Sequence, residues 1–89
     1  MTPEALDALL LAVARGEQRL TELPDSAPLR RRFVQRTRLL RFPDLIDVHV
    51  LPASAGATLA LYSRSLLGRR DFGVNRARLW RWLAAMNAA

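Results

Sequence analysis

The residues best suited to chemistry are concentrated in one stretch, Ser63-Arg64-Ser65-Leu66-Leu67-Gly68-Arg69-Arg70-Asp71-Phe72-Gly73-Val74-Asn75-Arg76-Ala77-Arg78. The hydroxyls of Ser63 and Ser65, five guanidinium groups, and the polar side chains of Asp71 and Asn75 supply the donors and acceptors an anion site uses. Gly68 and Gly73 permit the positive φ or close backbone approach that a tight strand-to-helix crossing needs. The helix that follows offers free amides and the positive end of its dipole. With Arg69, Arg70 and Arg76 beside it, that helix start is a candidate site for an anion or an acidic partner. The same residues equally serve the fold alone: Asp71 or Asn75 caps the helix, and Arg64 and Arg78 pair with Asp71 to clamp the loop. The stretch is no P-loop, since the Gly-Lys-Ser/Thr ending and a flanking βαβ unit are both missing.

Other chemistries have less to build on. His49 is the single histidine, on the polar side of a strand beside Asp47. Asp47 as orienting group and Ser63 or Tyr62 as nucleophile would outline a base–nucleophile pair, but no elbow motif or oxyanion hole accompanies them. The eight carboxylates show no metal-ligand spacing. Asp44, after Pro43, reads as a turn-shaping residue. The sequence therefore names no catalytic residue, metal or cofactor, and the chain reads as a non-enzymatic binding domain. An enzyme of undetected type would need Asp71, Asn75 or His49 in a real pocket.

Arg30-Arg31-Arg32 with Arg36, Arg38 and Arg41 is the densest basic run. On a strand, Arg30, Arg32 and Arg36 share one face and Phe33 takes the other, which makes a basic stripe. Sheets that bind nucleic acid stack bases on aromatic rings. Here Tyr62, Phe33 and Phe42 are the only candidates, so a nucleic acid ranks behind a protein partner or an anionic ligand.

Composition sets the bounds. Eighty-nine residues make one domain with a modest core. The absence of cysteine removes disulfides, thiol nucleophiles and cysteine-ligated metals. The apolar run from Ala8 to Ala14 is too short to span a membrane and lacks a basic flank, so the chain is expected to be soluble and cytoplasmic. The net charge of +6 rests on fourteen arginines and no lysine. Arginine suits bidentate contacts to phosphate and carboxylate, although a GC-rich coding sequence gives the same bias.

These residues need elements to position them. Thr2 as cap, Pro3 at the first helical position, an apolar face of Leu6, Leu9, Leu10 and Val13, and Gly16 as terminator predict a helix over 3–15. Residues 18–23 predict a short strand, and 23–28 a turn. Residues 29–38 predict a strand on Phe33, Val34 and Thr37. Residues 45–51 alternate as a strand, with Ile46, Val48 and Val50 inward and Asp47 and His49 outward. After a loop at 52–56, residues 57–64 pair back as a hairpin. A last helix over 75–86 has Leu79, Trp82, Leu83 and Met86 on one face. Trp80, about 200° from Trp82 round the helix, either packs under the 66–73 segment or anchors a partner or a homodimer. The expected fold is α+β: three to four antiparallel strands with both helices on one side and much of the arginine on the other.

Taken in order, Phe42-Pro43-Asp44, Tyr62-Ser63-Arg64-Ser65, Gly68, Asp71, Gly73-Val74-Asn75, Arg78 and Trp82-Leu83 resemble a bacterial family, the domain-of-unknown-function family fourteen-ninety-nine. Its hallmark is close to Ser-Arg-Ser-x-x-Gly-x-x-Asp-x-Gly-Val-Asn-x-x-Arg, and the likeness covers about residues 30–86. The resemblance implies relatives that are often membrane-tethered or exported. It carries no catalytic residues, cofactor or partner.

Overall fold

The computed structural model describes residues 1–39, 41–66 and 74–88. Thr2 opens the first helix as its place before Pro3 predicts: its Oγ1 accepts the Ala5 N–H at 3.1 Å. Helix α1 (Pro3–Arg15) ends at Gly16, whose N–H reaches back to the Val13 carbonyl at 3.1 Å. Four strands follow, β1 (Leu20–Glu22), β2 (Arg30–Arg36), β3 (Pro43–Ala53) and β4 (Gly56–Ser65), and then helix α2 (Val74–Ala88). The strands pair antiparallel in the order β1-β2-β3-β4, a simple meander.

Strand β3 is longer at both ends than the sequence suggests. Proline is tolerated where no ladder hydrogen bond is required of its nitrogen. Pro43 is the first residue of β3, and Pro52 lies past the point where β2 ends its pairing at Arg30 opposite His49. The expected loop at 52–56 shrinks to a two-residue turn, Ser54-Ala55, with Ala53 opposite Gly56. Gly56 has φ +123°, and a Cβ there would sit 2.3 Å from the Met1 carbonyl oxygen. That corner has room only for glycine.

Alternation along the strands divides the sheet cleanly. Phe33, Ile46, Val48 and Val50 meet Leu10 and Ala14 of α1 and Trp82 and Met86 of α2 in one core. Trp82 stands edge-on to Phe33, with ring centroids 5.8 Å apart. Both helices lie on this face and touch each other, which gives the two-layer α+β arrangement. A buried carboxylate fixes α1 in place. Asp7 receives Arg31 bidentately, Nε to Oδ1 at 2.9 Å and Nη2 to Oδ2 at 2.8 Å, and accepts the Leu29 N–H at 3.2 Å. Arg31 thereby holds the Asp7 carboxyl below its ordinary value although burial pulls the other way.

Candidate functional site

The polar residues of the helix-side face converge on one side chain. Two residues along from Phe33 and Ile46, Gln35 and Asp44 stand opposite each other on the same face, at the end of the apolar rows. Arg78 lies one helical turn before Trp82, on the same stripe of α2, and so reaches down over Asp44. Its Nη2 donates to Asp44 Oδ2 at 2.9 Å, its Nη1 to Ser63 Oγ at 2.8 Å and to Asn75 Oδ1, and its Nε to Gln35 Oε1. Ser63 Oγ in turn donates to Asn75 Oδ1. Arg78 is 3% exposed and Asp44 2%. Three strands and α2 are tied through this one guanidinium.

The network continues outward along α2. Gln35 Nε2 donates to the Gln18 carbonyl at 2.9 Å and to Glu17 Oε1 at 3.1 Å. Glu17 also takes the Trp82 indole N–H at 2.9 Å and the guanidinium of Arg81. Burial opposes its charge, but the donors from Arg81, Trp82 and Gln35 outweigh that and bring its pKa from 4.5 down to about 2. Among the described residues, no buried side-chain nitrogen or oxygen lacks a partner. A satisfied network of this kind fixes a unique packing and leaves no donor aimed at a ligand.

The predicted site residues therefore separate. Ser63, Asn75 and Arg78 are brought together but turned inward, and Ser65 lies opposite Asp44 on the same face. Asp44 does not shape a turn; it is the carboxylate partner of Arg78. Asn75 lies within the first turn of α2, with its Oδ1 drawn toward β4. Arg64 and Arg76 are exposed. Arg69, Arg70 and Asp71, with Gly68 and Gly73, lie outside the described residues, as does the clamp expected between Asp71 and the two arginines. Trp82 is buried and Trp80 is 67% exposed, with Leu83 at 38%.

The opposite face of the sheet carries Arg30, Arg32, Arg36 and Arg64. Row by row across β2, β3 and β4 it presents Arg30, His49 and Ala60, then Arg32, Asp47 and Tyr62, then Val34, Leu45 and Arg64. Arg36 stands opposite Pro43 in the next row. Arg32 is neutralised from two sides, by Asp47 at 2.7 Å and by Asp25. Arg30 and Arg64 have no carboxylate partner among the described residues. A groove of about 490 Å³ opens between Asp25, Arg30, Arg32, Asp47, His49 and Tyr62. Among the described residues, no group of three histidine, cysteine or acidic side chains is placed to hold a metal. None of their helices is long and apolar enough to cross a membrane.

The protein-family model described as Protein of unknown function (DUF1499) matches residues 1–86. The chain belongs to the DUF1499 family. No curated protein and no solved structure matches it. In this DUF1499 chain, sequence reasoning passed over Gln35, Asp44 and Glu17 as members of the network. Strand alternation was the signal for two of them: Gln35 is two residues from Phe33 and Asp44 two from Ile46, which puts both on the buried face.

Proposed function

We propose that this DUF1499 domain is a non-enzymatic binding module that holds an acidic segment of a partner protein against the open face of its sheet. What carries the proposal is the pairing pattern of the arginines. Those between the sheet and the helices, Arg31 and Arg78, are bound to buried carboxylates, whereas Arg30 and Arg64 stand exposed on either side of Tyr62 with no carboxylate partner among the described residues. Charges left unpaired on a rigid sheet are complementary to an acidic strand and steer its approach. The 63–78 segment contributes to this surface through Arg64, while Ser63, Asn75 and Arg78 hold the platform beneath. Nucleic acid is the second reading, favoured by Tyr62, which is 63% exposed. It is the one aromatic ring on this face among the described residues, fewer than a base-stacking surface uses.

Amide chemical-shift titration with a hexaglutamate peptide and with oligouridylate, at fixed ionic strength, tests the proposal. The expected result is saturable shifts around Arg30, Tyr62 and Arg64 with the peptide. Arg30→Glu/Arg64→Glu abolishes them, and Arg15→Glu, on the exposed end of α1, does not. Shifts scattered over every exposed arginine, or none at all, would overturn it. Stronger binding of the oligonucleotide would transfer the surface to nucleic acid.

A further inference from the structure

A second feature lies at the far end of β2, where β1 joins the sheet. Arg19, Arg36 and Arg41 surround a depression of about 480 Å³ whose apolar walls are Leu23 and Val34. Unlike Arg31, Arg32, Arg78 and Arg81, none of the three is paired with a carboxylate among the described residues. They are held by neutral acceptors instead. Arg19 Nε donates to the Arg36 carbonyl at 3.1 Å and its Nη1 to Gln18 Oε1 at 3.1 Å, and Arg36 Nη1 donates to the Arg41 carbonyl at 3.1 Å. The guanidinium of Arg41 has no hydrogen-bond partner among the described residues.

Backbone hydrogen bonds fix where two of these arginines stand. Arg19 and Arg41 both have φ +58°, a left-handed conformation that glycine or asparagine adopts more readily. The third such residue, Leu29, is accounted for by the Asp7 carboxylate that holds its N–H. Backbone hydrogen bonds hold the other two as well: the Arg41 N–H donates to the Thr37 carbonyl at 3.1 Å, and the Arg19 carbonyl accepts the Arg36 N–H at 3.0 Å, with both residues at the rim of the depression.

We infer that this corner binds a phosphomonoester dianion attached to a small apolar body. Three cations without counter-charges repel one another until a multiply charged oxyanion joins them, and guanidinium forks match phosphate oxygens bidentately. The volume is that of a small-molecule site and exceeds what a bare phosphate fills, which leaves Leu23 and Val34 to take an organic group. The site lies at the opposite end of β2 from Arg30, which is six residues and about 20 Å from Arg36 along the strand.

Phenyl phosphate, inorganic phosphate, and vesicles of phosphatidylcholine with phosphatidic acid are the probes, titrated at constant ionic strength. Phenyl phosphate is expected to bind saturably and several-fold more tightly than inorganic phosphate, or the phosphatidic acid vesicles to sediment the protein. The two arms distinguish a soluble source of the phosphomonoester from a lipid one. Arg19→Gly/Arg41→Gly is expected to weaken either interaction at least tenfold while leaving the thermal midpoint unchanged or raised, since glycine relieves both positive φ angles. Arg30→Gln, at the other end of the face, is expected to change neither. Failure of both arms, or binding that survives in the glycine variant, overturns the inference. Loss of binding together with a collapsed midpoint also overturns it, because the two arginines would then be structural.

Discussion

Removing Asp44 should cost far more than its single charge suggests. In Asp44→Leu the Arg78 guanidinium remains 3% exposed, with only the neutral oxygens of Gln35, Ser63 and Asn75 to face. Breaking a buried ion pair from one side costs about 3–5 kcal/mol. Arg78→Met is expected to fall in the same range from the other side. It leaves the Asp44 carboxylate buried, 2% exposed, and strips a donor from each of three further acceptors. A domain of this length has roughly 4–13 kcal/mol of stability in total, so either variant loses a large share of it. The double variant Asp44→Leu/Arg78→Met places apolar groups where both charges were. Its cost is expected to fall at least about 2 kcal/mol below the sum of the single ones. Urea unfolding followed by tryptophan fluorescence measures all four corners of the cycle, with Trp82 next to the network as the reporter. Single-variant losses under about 1 kcal/mol, or strict additivity, would refute the view that α2 is held to the sheet through this pair.

Three more outcomes follow from the same geometry. Glu17 has a folded pKa of about 2 against an ordinary 4.5, so its stabilisation is complete above about pH 4.5 and disappears as pH falls toward 2. Glu17→Gln should be less stable at pH 7 by roughly 1–2 kcal/mol, allowing for the exposure of Arg81, and the gap should close by pH 2 in acid-dependent urea titrations. Trp82→Ala should cost about 3–5 kcal/mol and Trp80→Ser less than about 0.5, as chemical denaturation would show; equal losses would contradict their burial. Gly56→Ala combines a positive φ with a clash against the Met1 backbone and should cost about 1–2 kcal/mol. In a scan that is a drop of roughly 4–16 °C in midpoint, and an unchanged midpoint would show that the corner yields.

The elements with strong local signals were legible in the sequence. Thr2, Pro3 and Gly16 fix α1 to the residue, and the alternation from Leu45 to Leu51 identifies β3 and the sides of its residues. Arg30, Arg32 and Arg36 share the face opposite Phe33, as their spacing requires. Where local signals conflicted with distant ones, the distant ones prevailed. The inner stripe of α2 is Asn75, Arg78, Trp82 and Met86, so apolar periodicity alone puts Leu83 on the wrong side. Asp44 looked like a turn residue because its partner is 34 positions away. No local pattern announces such a pair.

The meander has one further consequence, for the order in which the protein takes shape as it is made. Every strand pairs with its immediate neighbour in sequence, so the sheet closes from short-range contacts alone and can assemble early. Its helix-side face is finished only by α2, which supplies Trp82 and Met86 to the core, Arg78 to Asp44 and Arg81 to Glu17 across 64 positions. A nascent chain that has emerged as far as β4 therefore presents an apolar sheet with a bare carboxylate at its edge. That surface invites aggregation or a chaperone until Val74 and the residues beyond it are out.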